Sequence, residues 1–143
     1  MTEAGELPSA NMQRLSRIVR YIWASPVTLF GLCLGCLTLA TRGRVQLKRG
    51  AVECWGGFST WFLRHRWICN NAGAMTLGHV IIGQTRNDLE FARDHEHVHI
   101  KQYERWGLFM VPAYIGCSLW LWLWGKKPYW DNPFEKEAYR KAF

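Results

Sequence analysis

Residues 95–99 read His-Glu-His-Val-His, and three of them have the types and spacing of a hydrolytic metal site. His95 and His99 are four residues apart, so on an α-helix their imidazoles lie on one face and can bind one metal ion. Glu96 follows the first histidine, and its carboxylate can reach a water molecule on that metal. Two nitrogen ligands beside a carboxylate base are the pattern of a zinc hydrolase. We therefore predict that His95 and His99 bind Zn²⁺ and that Glu96 is the general base.

The flanking sequence predicts the helix that this pattern requires. Asn87 or Asp88 can cap its start, and Gly107 stands where its end is expected. No Gly or Pro interrupts the residues between them. His97 is two residues from each predicted ligand and faces away from the metal, so we interpret it as a surface or packing residue. The predicted metal-facing stripe contains Ala92, His95, His99, Gln102 and Trp106.

The composition favours contact with lipid. The chain has 143 residues, enough for one small domain, with nine Trp and a formal net charge of +7. Its Arg and Lys residues flank apolar segments, and the sequence contains no nucleic-acid-binding motif. We therefore predict membrane lipid as a partner and no nucleic acid. Five Cys without a framework spacing indicate reduced thiols rather than a disulfide scaffold.

Two uncharged segments predict the membrane contacts. Residues 1–20 form a basic amphipathic N-terminal segment, and residues 21–41 are uncharged and long enough to cross a bilayer as an uncleaved anchor helix. Residues 106–125 are also uncharged, and the Trp and Tyr residues near their end precede or flank Lys126 and Lys127, as in a headgroup layer. We expect residues 42–143 to form one compact domain that contains this second segment.

Between the two apolar segments, the pattern predicts a small antiparallel β-sheet. Residues 44–48 alternate in polarity, a turn follows, and residues 51–55 return, whereas residues 75–83 are predicted to be one edge strand. Residues 58–68 fit no element clearly. The expected fold class is α+β: an N-terminal membrane helix, this sheet, the motif helix, an apolar helical segment, and a short C-terminal helix that begins at Asn132-Pro133.

The motif helix and the tail together resemble the gluzincins, zinc metallopeptidases whose third ligand is a Glu on a later helix. That later helix often reads Glu-x-x-Ala followed by Asp. Residues 135–138 match this pattern, and Tyr139 takes the place of the Asp. The resemblance implies that His95, His99 and Glu135 bind Zn²⁺, with one position open for water, and that the substrate is a peptide or protein.

The same resemblance raises two questions about the neighbours of the metal. The missing Asp leaves the partner of a ligand histidine unidentified. A donor is expected near the developing oxyanion, and Tyr139, Tyr103 and His79 are the candidates. A similar order of Gln102, Gly107, Pro112 and Glu135 occurs in small uncharacterised bacterial membrane-associated proteins of zincin type, over roughly residues 75–143.

The third ligand and the second apolar segment constrain each other. If residues 106–125 crossed the membrane once, Glu135 would lie on the opposite side from His95. We therefore expect this segment to dip into the bilayer, or to pack on the first anchor, and to return. If it crosses instead, the alternative third ligands are Glu53, His79 or Glu104, and Glu137 remains an alternative within the tail.

The predicted function is that of a membrane-associated zinc peptidase. The alternative is a membrane interaction protein with a non-catalytic zinc site. Structural zinc is usually fully ligated by protein, often through Cys, so a His and Glu ligand set with an open position favours catalysis. The basic residues are in slight excess on the side of the predicted site, which favours the cytoplasmic face of a bacterial inner membrane.

Overall fold

The computed structural model describes residues 9–143 and has helices on both faces of a small sheet. This confirms the predicted α+β class. The elements, in chain order, are α1 (Ala10–Ala40), β1 (Arg44–Lys48), β2 (Ala51–Trp55), α2 (Gly57–Arg64), β3 (Ala74–Leu77), β4 (Val80–Gly83), α3 (Arg86–Trp106), a 3₁₀ turn (Gly107–Phe109), α4 (Met110–Leu123) and α5 (Pro133–Ala142).

The sheet has the strand order β1-β2-β4-β3 and is mixed rather than antiparallel. Its two outer pairs are antiparallel, but β2 and β4 run parallel, with Val52 opposite Val80 and Trp55 opposite Gly83. The prediction of an antiparallel sheet was wrong here because α2, β3 and their connections form a crossover between β2 and β4. A crossover of this kind can bring the chain back in the same direction.

The stretch predicted as one edge strand is a hairpin. Gly78 adopts a φ of +63°, which ends β3 and turns the chain into β4. A Cβ at Gly78 would lie 2.2 Å from Oγ1 of Thr28, so α1 also leaves no room for a side chain there. Of the two strands of this hairpin, β3 is at an edge of the sheet and β4 is inside it. β3 lies beside the motif helix α3, and Thr76 is hydrogen-bonded to Glu96.

The two faces of the sheet form separate parts of the core. Strand side chains alternate between the faces, so neighbouring residues of β4 face different helices. On one face, Val80 and Ile82 pack with Leu34 of α1 and Leu63 of α2. On the other face, Ile81 packs with residues of α3. This second cluster contains Ala51, Ile81, Leu89 and Ile100.

The helix α1 joins part of the predicted basic segment to the predicted anchor in one continuous element, with Pro26 inside it. Residues 1–8, which belong to the predicted segment 1–20, lie outside the described residues. One face of α1 packs closely on the sheet, since a Cβ at Gly31 would lie 2.8 Å from Cβ of Val80. Both α1 and the helical stretch Arg86–Leu123 are long and apolar enough to cross a membrane.

The motif helix α3 begins with a capping box. Thr85 is the N-cap: its hydroxyl accepts from the amide of Asp88 at 3.2 Å, and the Asp88 carboxylate accepts from the amide of Thr85 at 3.1 Å. The cap is therefore two residues before Asn87, which was one of the two predicted caps. The predicted end at Gly107 is confirmed, and its φ of 58° is readily available to glycine.

The chain returns toward α3 after α4, as the sequence analysis expected. Asn132 caps α5, because its side chain accepts from the amide of Phe134. The amide group of the same side chain donates to the Tyr114 carbonyl at 3.1 Å and to Oγ of Ser118 at 2.8 Å. These bonds hold the start of α5 against α4 and direct the helix onto α3.

Candidate metal centre

The three predicted metal ligands meet in the interior. Nε2 of His95 lies 3.1 Å from Nε2 of His99 and 3.1 Å from Oε2 of Glu135. Nε2 of His99 lies 3.4 Å from Oε1 of the same carboxylate. All three side chains are buried, and their potential ligand atoms lie within 4.8 Å of one another. One metal ion could therefore be bound by all three residues.

The alternative third ligands are engaged elsewhere. The carboxylate of Glu53 binds Arg93, and Glu104 lies 3.0 Å from Nε2 of His79. Glu137 accepts from Gln102 at 2.9 Å rather than facing the histidines. Of the acidic residues weighed from the sequence, Glu135 is the one that the structure places against His95 and His99.

The hydrogen bonds of Gln102 identify the free nitrogen of His99. The amide NH₂ of Gln102 donates to the Phe134 carbonyl at 3.0 Å and to Glu137 at 2.9 Å, which fixes the orientation of the amide. Its Oε1 lies 2.8 Å from Nδ1 of His99 and can only accept, so Nδ1 carries the proton. Nε2 of a neutral His99 therefore has its lone pair directed at Glu135 and His95.

Gln102 is thus the hydrogen-bond partner of a predicted ligand histidine that the sequence left unidentified. Ligand histidines in metal sites usually donate their other ring N–H to an acceptor, which sets the tautomer and the ring orientation. Gln102 was predicted to lie on the metal-facing stripe, but its hydrogen bond with His99 was not predicted. Its position three residues after His99, on the same face of the helix, could have indicated this contact.

Tyr114 of α4 orients the carboxylate of Glu135. Its hydroxyl donates to Oε1 at 2.7 Å. Burial alone would raise the pKa of Glu135, but the rings of His95 and His99 and the Tyr114 hydroxyl outweigh it and hold that pKa well below its ordinary value. Glu135 is therefore a carboxylate at neutral pH. The sequence analysis missed Tyr114 because it lies in an apolar run, where its hydroxyl was the only signal.

Oε2 of Glu135 is buried without a hydrogen-bond partner, although it lies close to Nε2 of His95, so it is available to bind a metal. Nδ1 of His95, the ring nitrogen that does not face Glu135, is also buried without a partner, unlike Nδ1 of His99. Burial would lower the pKa of His99, but the carboxylates of Glu135 and Glu96 outweigh it and raise that pKa. The centre therefore attracts positive charge, and its imidazole and carboxylate donors suit Zn²⁺.

Glu96 is held by the edge strand. Oγ1 of Thr76 in β3 donates to Oε2 of Glu96 at 2.7 Å, and both residues are buried. The Glu96 carboxylate also contributes to the raised pKa of His99, so its charge acts at the centre. Thr76 could not be identified from the sequence, because its contact with Glu96 depends on how the hairpin packs against α3.

The three candidates for an oxyanion donor lie in different surroundings. The ring of Tyr139 is 4.5 Å from that of His95, and its hydroxyl is 3.2 Å from the hydroxyl of Tyr129. Tyr103 is buried in the core between α1, α3 and α4. His79 is stacked on Tyr21 at 4.2 Å and paired with Glu104. Tyr139 is the candidate whose ring contacts a predicted ligand.

His97 lies outside the group of three ligands. Its Nδ1 is 2.9 Å from the carbonyl of Arg93, one turn earlier on α3. This agrees with the prediction that its side chain faces away from the metal.

Comparison with known proteins gave no match: no protein-family model, no curated protein and no solved structure matches the chain.

Proposed function

We propose that this protein is a membrane-associated zinc-dependent peptidase that hydrolyses peptide bonds, with Glu96 as general base. The observation that carries the proposal is the convergence of the two imidazoles with the ionised carboxylate of Glu135, next to a buried Glu96. The resemblance of the motif helix and the tail to gluzincins supports it.

Each side chain at the centre has one role in this proposal. His95, His99 and Glu135 would hold Zn²⁺, and three protein ligands leave a position open. The bound metal would supply Lewis acidity and lower the pKa of a water molecule. The Glu96 carboxylate accepts the proton of the attacking water and delivers it to the leaving amine, while Thr76 holds that carboxylate in place.

A peptide substrate could add to the exposed edge of β3. This strand is the outer one beside α3, and its second edge is not paired with another strand of the sheet. An extended peptide can bind such an edge through main-chain hydrogen bonds. Of the proposed oxyanion donors, Tyr139 is the one whose ring contacts a proposed metal ligand, His95.

The proposed location is the cytoplasmic face of a bacterial inner membrane. The apolar helices favour association with a membrane, and the net charge of +7 favours the anionic lipids of that face.

The decisive experiment compares Glu96→Gln with Glu90→Gln in detergent-solubilised full-length protein. Both changes remove a carboxylate from α3, but Glu90 is exposed and pairs with Arg86 on the surface. Cleavage of a mixed peptide library should fall by about 10² to 10⁴ in Glu96→Gln, since general-base assistance has that magnitude, and should be unchanged in Glu90→Gln. Zinc content should be retained in both variants.

A third variant, Glu135→Gln, separates metal binding from proton transfer. It should lose zinc, because an amide is a weaker ligand than a carboxylate. If Glu96→Gln cleaves peptides as fast as the wild type, the peptidase proposal is wrong. A zinc-containing protein without cleavage would then be interpreted as a membrane interaction protein.

A further inference from the structure

The helix α1 has two faces with different surroundings. Its buried face packs on the sheet, and Thr38 within it is hydrogen-bonded to Ser59 of α2 at 2.6 Å. The buried residues of this face are Ala24, Val27, Gly31, Leu34, Gly35 and Thr38. These residues are spaced mostly three or four apart, so they lie on one side of the helix. The other side of α1 does not pack on the sheet.

The opposite side of α1 is a continuous exposed apolar surface, which we call the outer face. Its large side chains are all apolar, and each of them is between 46% and 67% exposed. They are Leu15, Ile18, Ile22, Leu29, Phe30 and Leu37. Exposed apolar surfaces of this extent mark contact with a partner or a membrane.

The packing of the sheet on α1 is incompatible with a simple transmembrane span. A sheet beside residues 24–38 would be carried into the hydrocarbon, where the open edges of β1 and β3 could not find hydrogen-bond partners. Arg44 and Lys48 of the edge strand β1 would enter with it, and both are exposed. Charged side chains at that depth are strongly disfavoured.

The helix α4 is a second apolar element with exposed side chains, and its start contacts α1. Trp23 of α1 contacts Phe109 at the start of α4, with 5.9 Å between the ring centroids. The 14 residues of α4 extend about 21 Å, which is shorter than the bilayer core of about 30 Å. Asn132 then binds Tyr114 and Ser118, so α4 and the return form a hairpin with Lys126 and Lys127 near its tip.

The charges near the outer face favour an anionic lipid surface over a second copy of the chain. Arg14, Arg17 and Arg20 lie at the start of α1, and Arg42 and Arg44 follow its end. Two copies that paired along α1 would therefore bring like charges together, whether the helices ran parallel or antiparallel. Anionic headgroups would instead meet opposite charge at both ends of the helix.

We propose that α1 lies in the plane of an anionic membrane surface, with its outer face and the apolar side chains of α4 inserted in one leaflet and with Lys126 and Lys127 at the level of the headgroups. Neither helix crosses the bilayer, and the sheet and the metal centre stay on one side. This mode of binding does not depend on peptidase activity. It replaces the interpretation of residues 21–41 as a spanning anchor, because the sequence could not show that a sheet covers one side of this helix.

The first test uses the purified full-length protein with phosphatidylglycerol and phosphatidylcholine vesicles. The protein should float with anionic vesicles, and high salt should weaken the binding. The double change Leu29→Glu and Phe30→Glu should reduce binding by more than about tenfold, since it places charge in the inserted face. Leu47→Glu is the matched control, because Leu47 is 77% exposed but lies on β1, and it should bind as the wild type does.

The second test determines sidedness in membrane vesicles of known orientation from cells that express the full chain. Cys33, Cys36 and Cys117 are replaced by Ala, and Ala10→Cys or Leu47→Cys is introduced. An impermeant maleimide should label both positions from the same side. Labelling from opposite sides would show a span, and a dimer whose outer faces pair without binding vesicles would show a second copy. Either result would overturn the proposal.

Discussion

At the scale of single residues, Gln102 sets the tautomer of the neutral His99 ring. With its amide orientation fixed by Phe134 and Glu137, its Oε1 accepts a hydrogen bond from Nδ1–H, so the lone pair of the neutral ring is on Nε2. Loss of such a partner typically lowers metal affinity about 10- to 100-fold. We expect Gln102→Ala to weaken zinc binding by this factor, measured by competition with a chromophoric chelator at constant pH.

Lys101→Ala is the control for this change, because Lys101 is an exposed neighbour on the same helix. It should bind zinc with the affinity of the wild type. Unchanged affinity in Gln102→Ala would mean that His99 is oriented by its packing alone. Circular dichroism of both variants checks that α3 remains folded.

Residues of the site differ in how far the sequence could predict them. His95, Glu96 and His99 were predicted because their chemistry depends on spacing within one helix. Glu135 was implied only by the resemblance, because its position relative to His95 depends on the path of 39 intervening residues. Thr76 and Tyr114 reach the site from separate elements, and a single sequence contains no signal for such contacts.

At the scale of elements, a buried ion pair joins β2 to α3. Arg93 donates to both carboxylate oxygens of Glu53, at 2.7 and 3.0 Å; the Glu53 side chain is fully buried and that of Arg93 is 9% exposed. Removal of one partner leaves the other charge buried without compensation, which typically costs about 3 to 5 kcal/mol. We expect Glu53→Gln to lose stability of this order in urea unfolding at neutral pH.

The same pair makes stability depend on pH. Burial would raise the pKa of Glu53, but hydrogen bonds from Arg93 and Gln46 outweigh it and lower that pKa. The ionised carboxylate therefore stabilises the fold fully above the pKa of the unfolded chain, about 4.3. This stabilisation is lost as the pH falls through the lower folded pKa.

Urea titrations of the wild type and Glu53→Gln at several pH values measure this contribution. The difference between them should shrink as the pH falls below about 4. The surface variant Glu90→Gln, which breaks only an exposed pair with Arg86, should differ from the wild type by less than about 1 kcal/mol. A constant difference between Glu53→Gln and the wild type at every pH would contradict the ionic origin of the effect.

Elements were predicted well where the signal was local. The ends of β1 and β2, the end of α3 at Gly107 and the start of α5 all follow from turn and cap residues. The parallel pairing of β2 with β4 was not predictable, because it depends on the crossover rather than on the strands. The hairpin in residues 75–83 was missed because Gly78 was interpreted as part of a strand.

At the scale of the whole molecule, a metal at the centre would link α3 to α5. A ligand that binds only the folded state stabilises it by about 2.7 kcal/mol at 100 times its Kd. Added zinc should therefore raise the Tm of the chelator-treated protein, measured by calorimetry in detergent. His95→Ala and His99→Ala should abolish this increase, because each removes a ligand.

His97→Ala is the matched control, since it removes a histidine from the same helix without removing a ligand. It should keep the full increase in Tm on addition of zinc. An increase that disappears in His97→Ala but persists in His95→Ala would contradict the assignment of the metal-facing side of α3.

The order of the ligands along the chain has a consequence for protein synthesis. Glu135 lies 36 residues after His99, and both apolar segments precede it. At a translation rate of about 5 to 20 residues per second, this separation corresponds to about 2 to 7 s. A growing chain thus contains both apolar segments before it has a complete metal centre. Contact with lipid can therefore come before the metal centre is complete.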